Sequence, residues 1–134
     1  MSADPKDGFE SAPRVVVVDD DPLVLAVTRR LLQRAGYEVI PCDHPRTALR
    51  EVVHSQPFAL VADLHMPDLS GLDVQLFLAR DRVPVPVIIL TGHETAETRA
   101  RLMARGATAC LRKPVDDKLL LAAIDDAIRS ASGV

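Results

Sequence analysis

Three short runs of the chain are apolar at every position, and they constrain the fold more than any other feature. They are "VVVV" at residues 15–18, "FALVA" at 58–62 and "VPVIIL" at 85–90. A strand with one face in water alternates apolar and polar residues, whereas a parallel strand covered on both faces is continuously apolar. The runs therefore predict inner strands of a parallel sheet. Two more mixed runs, Tyr37–Pro41 and Ala109–Leu111, are typical of edge strands.

Helical patterns fill the segments between these runs. Asp21 followed by Pro22 predicts an N-cap with proline at the first helical position, and Gly36 is placed to end that helix. Four further helices are marked by residues that favour helix ends, namely Asp43, Ser70, Gly71, Gly106 and Asp116. Strict alternation of strands and helices implies right-handed crossovers and a three-layer α/β sandwich.

Apolar residues at helical spacing predict which face of each helix is buried. In the first helix Val24, Val27 and Leu31 recur at this spacing, joined by Leu23, Leu32 and Ala35. In the second and fifth helices the predicted core-facing residues are Ala48, Leu49, Val52, Val53, Leu120, Ala123, Ile124 and Ile128.

Composition excludes several classes of function. The 134 residues carry a net charge of −3, so no global basic field favours binding to nucleic acid. Aromatic residues make up 3%, which argues against base stacking and against a flavin held between rings. No run approaches the roughly 20 apolar residues of a membrane span, and the first 13 residues lack the apolar stretch of a signal peptide. We expect a cytoplasmic chain with a tail at 1–13, one domain at 14–130 and a short tail at 131–134.

Polar side chains follow four of the predicted strands. Ligands of open parallel sheets collect beyond the carboxyl ends of the strands, so these side chains are expected to converge on one rim. They are Asp19, Asp20, Asp21, Asp63, Thr91, Gly92 and Lys113.

The combination of these groups supports a coherent chemistry. Several carboxylates in one shallow pocket form an oxygen-rich site for Mg²⁺. One carboxylate can act as nucleophile toward a phosphoryl group, whose charge Lys113, the Thr91 hydroxyl and backbone N–H groups near Gly92 could balance. Each residue also has a plainer interpretation: Asp21 as a helix cap, Lys113 as a solvated lysine, Thr91 as a strand residue. Asp63 is harder to explain structurally, because an unpaired carboxylate after four apolar residues is costly.

Four motifs in order resemble the response-regulator receiver domains of two-component signalling. They are "VVVDDDP", "VADLHMPDLSGLD", "PVIILTGH" and "GATACLRKPV", and the resemblance covers about residues 14 to 130. It implies a flavodoxin-like fold of five parallel strands in the order 2-1-3-4-5 with five helices.

The resemblance also implies a role for each matching residue. Asp63 would be the phosphoacceptor, and Lys113 would pair with the phosphoryl oxygen. Thr91 would be the switch hydroxyl, next to Gly92. The Mg²⁺ ligands would be Asp63, Asp20, Asp19 directly or through water, and the main-chain carbonyl of His65. The peptide bond before Pro114 would be cis, which would direct Lys113 inward.

Three positions depart from the pattern or add to it. Cys110 stands where the family usually has a switching aromatic residue; it either fills a small core pocket or has a redox role. His65 and His93 follow the acceptor and the switch threonine, where they either modulate autodephosphorylation with pH or are simply exposed. The implied strand order puts Cys42 and Cys110 at opposite edges, roughly 19 Å apart, which excludes a disulfide between them.

The leading hypothesis is a stand-alone receiver that is phosphorylated by a sensor histidine kinase or a phosphotransfer protein and then switches protein contacts. The kinase would meet the first helix and the strand-end loops, near Leu23, Leu25 and Pro114. The face of helix 4, strand 5 and helix 5 would serve output or a homodimer. The alternatives are an interaction module independent of phosphorylation, the receiver part of a longer regulator, and a flavodoxin-like cofactor protein. The acidic rim and scarce aromatics disfavour the last.

Overall fold

The computed structural model describes residues 12–66, 68–92 and 95–131. Five parallel strands form one sheet in the order β2-β1-β3-β4-β5. The strands are β1 (Arg14–Val18), β2 (Glu38–Cys42), β3 (Ala59–Asp63), β4 (Val87–Thr91) and β5 (Ala109–Arg112). The helices are α1 (Pro22–Arg34), α2 (Pro45–Ser55), α3 (Gly71–Arg80), α4 (Ala96–Ala104) and α5 (Asp117–Ala131). The predicted fold and strand order are confirmed.

Each face of the sheet carries its own hydrophobic core. Because side chains alternate along a strand, Val16 and Val18 face one core while Val15 and Val17 face the other. The first core is closed by α2, α3 and α4, and the second by α1 and α5. Every residue of β3 and β4 is buried, as the continuously apolar runs predict.

The strand ends differ from prediction by one or two residues. The largest difference is in β4, which begins at Val87 and not at Val85. Pro84 and Pro86 have no N–H group to donate to a neighbouring strand, so regular pairing starts only beyond them. The carbonyl of Pro86 still accepts the N–H of Leu60 at 2.9 Å.

Local caps fix the helix ends. The Asp21 carboxylate accepts the N–H groups of Leu23 at 2.9 Å and Val24 at 3.4 Å, which confirms its role as the α1 N-cap. Ser70 and Asp73 form a capping box at the start of α3. The N-cap of α2 is His44, one residue after Asp43, since its Nδ1 accepts the Arg46 N–H at 3.1 Å.

Besides Leu23, whose exposure near the kinase-facing loops was expected, two residues of the predicted apolar faces are exposed. Val27 of α1 and Val53 of α2 are each 60% exposed. In α1 the buried residues are Thr28 and Leu32, which places Val27 at the edge of the buried stripe. In α2 the buried stripe runs through Ala48 and Val52, and Val53 is turned about 100° from it.

The two cysteines form no disulfide with each other and lie on opposite edge strands, Cys42 on β2 and Cys110 on β5. This confirms the absence of a disulfide between them. Among the helices of the described residues, none is long and apolar enough to cross a membrane.

Candidate functional site

Three carboxylates meet at the carboxyl ends of the two central strands. Asp63 is the last residue of β3, and Asp19 and Asp20 follow β1, which pairs with β3 through Val18 and Ala62. One carboxylate oxygen from each of the three residues lies within 4.8 Å of the others. Asp19 is 2% exposed and Asp63 is 6% exposed, whereas Asp20 faces solvent. The site is therefore a small acidic pocket with one open side.

The Lys113 side chain reaches this pocket from the end of β5, on the far side of β4 from Asp63. Its ammonium lies 3.0 Å from Asp19 Oδ2 and 3.2 Å from Asp63 Oδ2. The lysine follows β5, and the peptide bond between it and Pro114 is cis, as the resemblance implied. One positive charge thus bridges the two buried carboxylates, so the plain interpretation of Lys113 as a solvated lysine is wrong.

Burial and close charges shift the acid–base properties of this pair. Burial raises the pKa of the Asp63 carboxyl, and the Asp19 charge raises it further; Lys113 and the His65 N–H only partly offset this. Burial lowers the pKa of Lys113, but the hydrogen bond to Asp19 and the charges of Asp63 and Asp19 outweigh burial, so its pKa is raised overall. Lys113 therefore holds its proton more tightly than a free lysine, and Asp63 loses its proton less readily than a free aspartate.

Backbone contacts hold the two buried carboxylates in place. The Asp19 N–H donates to the Cys42 carbonyl at 3.1 Å, and Asp19 Oδ1 accepts the Asp21 N–H at 2.9 Å. Asp63 Oδ1 accepts the His65 N–H at 3.3 Å. Gly71 packs directly against this backbone, since a Cβ there would lie 2.7 Å from the Asp63 carbonyl oxygen.

The donor set fits a hard divalent cation. Three carboxylates within one ion's reach, of which one is exposed, offer oxygen ligands while leaving room for water. No soft sulfur or imidazole donor belongs to the cluster of described residues that could hold a metal. Mg²⁺ takes one or two carboxylates, keeps several waters and accepts phosphate oxygens, so these residues suit it.

Thr91 and Gly92 lie at the end of β4, next to the pocket. Thr91 is 5% exposed, and its hydroxyl donates to the Leu111 carbonyl at 3.4 Å and not to a carboxylate. A Cβ built at Gly92 would meet nothing within 4 Å. Gly92 thus has open space on the side where a Cβ would be.

The remaining candidate residues are distributed differently. His65 is exposed, and His93 lies outside the described residues. Cys110 is 3% exposed and belongs to the hydrophobic core between the sheet and α2, α3 and α4. Its burial there supports the core-pocket interpretation.

One feature beside the site was only partly foreseen from the sequence. A groove of about 620 Å³, called here the α1 groove, runs between α1 and the start of α5, and Lys113 is one of its lining residues. Its apolar wall includes Leu23, Val24, Val27, Leu31, Pro114 and Val115. The exposure of Leu23 and Pro114 was expected, but the contribution of Val27 was not, because helical spacing alone does not tell a core face from a groove face.

Comparison with known proteins identifies the family. The model of the response regulator receiver domain family matches residues 15–125. The chain is 38% identical over 104 residues to the transcriptional regulatory protein PrrA of Mycobacterium tuberculosis, covering 78% of this chain and 45% of that protein. It is 36% identical over 110 residues to nodulation protein W of Bradyrhizobium diazoefficiens, covering 82% of this chain and 48% of that protein. The chain thus spans less than half the length of these curated relatives.

Solved structures agree with the sequence comparison. A response regulator receiver domain protein from Clostridium thermocellum superimposes with a TM-score of 0.85 at 31% identity, covering 90% of this chain and 97% of that one. The response regulator StyR gives a TM-score of 0.83 at 34% identity, covering 92% and 62% respectively. The fold, the site and these relatives together show that the chain belongs to the response regulator receiver domain family, the phosphorylation-dependent signalling domains of two-component systems.

Proposed function

We propose that Asp63 accepts a phosphoryl group from a histidine kinase or a histidine phosphotransfer protein. The observation that carries this proposal is the placement of Lys113 between two buried carboxylates, with its ammonium 3.2 Å from Asp63 and 3.0 Å from Asp19. A carboxylate that is to be phosphorylated needs a fixed cation within reach of the incoming oxygens. Lys113 supplies one 3.2 Å from the Asp63 carboxylate.

In this reaction a carboxylate oxygen of Asp63 attacks the phosphorus of a phosphohistidine. The new O–P bond forms as the P–N bond breaks, and the electron pair of that bond returns to the imidazole nitrogen. The product is an aspartyl phosphate, in which the single charge of Asp63 is replaced by the larger charge of the phosphoryl group. Lys113 is then placed to pair with a phosphoryl oxygen.

Asp19, Asp20, Asp63 and the main-chain carbonyl of His65 would hold Mg²⁺. When bound, Mg²⁺ would supply positive charge that offsets both the repulsion of these carboxylates and the charge of the phosphoryl group. The Thr91 hydroxyl would leave the Leu111 carbonyl and turn toward a phosphoryl oxygen. The open space at Gly92 supports access of that oxygen to backbone N–H groups.

Incubation with acetyl phosphate tests this chemistry without a kinase. Intact-mass measurement should show one added phosphoryl group in the presence of Mg²⁺, and none after chelation by EDTA. Asp63→Asn should remain unlabelled, whereas Asp126→Asn, a change at an exposed α5 carboxylate, should be labelled like the wild type. The same samples report self-phosphorylation and, after acetyl phosphate is removed, autodephosphorylation.

We further propose that the α1 groove receives a helix of the phosphoryl donor. The groove is mainly apolar, it opens beside Lys113, and its rim exposes Leu23 at 71% and Val27 at 60%. Large exposed apolar side chains grouped beside a reactive site are typical of a docking surface. A donor bound there would present its phosphohistidine to Asp63.

Two exposed valines give a matched test of this docking surface. Val27→Asp places a charge in the α1 groove, while Val53→Asp places one on α2, on the other side of the sheet, at the same exposure. Val27→Asp should slow phosphotransfer from the kinase at least tenfold and leave labelling by acetyl phosphate unchanged. Val53→Asp should leave both unchanged. Equal transfer to both variants would exclude the groove as the donor site.

The second candidate function is an interaction module that works without phosphorylation. The replacement of the family's aromatic residue by the buried Cys110 favours it. The two candidates differ in one outcome, because only the first requires Mg²⁺-dependent labelling that Asp63→Asn abolishes.

A further inference from the structure

A buried amide joins α3 to α4 on the side of the sheet away from the α1 groove. Gln75 of α3 is 3% exposed, and its Nε2 donates to the Leu102 carbonyl of α4 at 3.2 Å. Its Oε1 is buried and has no hydrogen-bond partner among the described residues. A buried acceptor without a donor is costly, and Leu or Met would fill a similar volume without that cost. The hydrogen bond to α4 is therefore the contact that explains a polar side chain at this buried position.

The contact point is the C-terminal end of α4. The Ala107 N–H also donates to the Leu102 carbonyl at 3.2 Å, and the Gly106 N–H donates to the Met103 carbonyl at 3.1 Å. With Gly106 at a φ of 104°, these two bonds form a Schellman motif. A Cβ at Gly106 would lie 3.6 Å from Gln75 Nε2, so the amide lies directly against this turn.

The rest of α4 is attached much less firmly. Of its nine residues, all of them described, only Leu102 is buried. Ala96, Glu97, Arg99 and Ala100 are all exposed. A helix segment with so little buried apolar surface separates from the core at low free energy. Its first turn is also the part nearest the site, since Thr95, the α4 N-cap, comes only four positions after Thr91.

We propose that Gln75 is the positioning residue that holds the C-terminal end of α4, called here the hinge, in its resting position, and so opposes any displacement of α4 that follows a movement of Thr91. A movement of Thr91 at the site displaces the N-terminal half of α4, while the Leu102 and Ala107 side chains keep the other end in the core. Displacement of α4 strains the hydrogen bond between Gln75 and Leu102, so this bond opposes the movement of the helix. The inference rests on the proposed function, because loading of Asp63 is what moves Thr91.

Gln75→Met tests the hinge, because methionine keeps the length and volume of glutamine but cannot donate to Leu102. Amide hydrogen exchange should rise about fivefold at residues 105–107 relative to the rest of the chain, the change expected for one lost hydrogen bond. Affinity for beryllofluoride, a phosphoryl analogue added with Mg²⁺, should rise by a similar factor of about five, because coupling between two sites is reciprocal. Gln33→Met, a change at an exposed position of α1, should alter neither quantity.

The outcomes separate a hinge from a purely structural role. Faster exchange at 105–107 together with tighter analogue binding supports the proposal. Exchange that rises equally along the whole chain, or unchanged affinity for the analogue, would overturn it while the proposed function stands. A wild-type chain that binds no analogue would overturn the proposed function, and this inference with it.

Discussion

The ammonium of Lys113 lies 3.2 Å from a carboxylate oxygen of Asp63, although Asp63 ends β3 and Lys113 follows β5, with β4 between these two strands. Because Asp63 and Asp19 are both buried, this contact determines the electrostatics of the whole pocket. It makes the resting site an ion cluster in which one positive charge partly offsets two buried negative charges.

Replacing Lys113 by Met should destabilise the fold. Two buried carboxylates would lose their shared cation, and breaking a buried ion pair costs about 3–5 kcal/mol. Because the lysine side chain is 27% exposed, we expect the unfolding free energy to fall by less, about 1–3 kcal/mol, in Mg²⁺-free buffer. Urea unfolding measures this loss. Added Mg²⁺ should recover part of it, since the cation replaces the missing charge. A Lys113→Met chain as stable as the wild type without Mg²⁺ would show that Lys113 does not offset the charge of the buried carboxylates.

Replacing Asp63 by Asn should instead increase the unfolding free energy in Mg²⁺-free buffer. The pKa of Asp63 is raised, chiefly by burial, so its ionised form opposes folding, and we expect a gain on the order of 1 kcal/mol. The folded state holds this proton more tightly than the unfolded state. The Asp63 contribution to the unfolding free energy therefore rises as pH falls from neutral toward the ordinary aspartate pKa, and levels off below it.

Urea unfolding of the wild type and Asp63→Asn across this pH range checks the sign. The difference in unfolding free energy between the two proteins should shrink as pH falls. Asp126→Asn, at an exposed position, is the control that should track the wild type. A difference that grows on acidification would contradict the raised pKa of Asp63.

Glycine-to-alanine changes at two positions near the site should differ sharply. Alanine normally stabilises a helix relative to glycine by about 1 kcal/mol. At Gly71, however, a Cβ would lie 2.7 Å from the Asp63 carbonyl oxygen and 3.1 Å from Leu64 Cα. Gly71→Ala should therefore cost about 1–3 kcal/mol and move the acceptor. The Cβ of Gly92→Ala would meet nothing within 4 Å, so this change should cost less than Gly71→Ala. Equal thermal unfolding curves for the two variants would contradict the close packing at Gly71.

The Cys42 thiol should be slow to react. Burial raises its pKa to about 11, with Glu51 and Asp43 adding to the rise, and only the thiolate is nucleophilic. In a Cys110→Ser background, iodoacetamide should modify the native chain far more slowly than the urea-unfolded chain near neutral pH. Because the folded pKa exceeds the ordinary value, the Cys42 contribution to stability should fall as pH rises from about 9 to about 11. Equal modification rates for the folded and unfolded chains would exclude a buried thiol.

Local signals in the sequence accounted for most of the fold. The runs at 15–18, 58–62 and 85–90 are apolar because both faces of the sheet are covered, and Asp21, Ser70 and Gly36 mark helix ends through their own side-chain or backbone preferences. Such features act within a few residues, so the sequence displays them.

Features that depend on packing between distant segments were not predictable. Val27 and Val53 have helical spacing suited to a core, yet each is 60% exposed, because the orientation of a helix on the sheet decides which part of an apolar stripe is covered. The contact of Lys113 with Asp19 could not be inferred either, since the sequence places lysine near a phosphoryl group and not between two carboxylates. The link from Gln75 to Leu102 has no sequence signal at all.

The most direct test of the central claim is to locate the phosphoryl group within the chain. After incubation with acetyl phosphate and Mg²⁺, borohydride reduction and peptide mass spectrometry would mark the residue that carried an acyl phosphate. We expect one modified position, Asp63, and no modification when Mg²⁺ is chelated. Modification at Asp19 or Asp20, or labelling of Asp63 that is independent of Mg²⁺, would contradict this expectation.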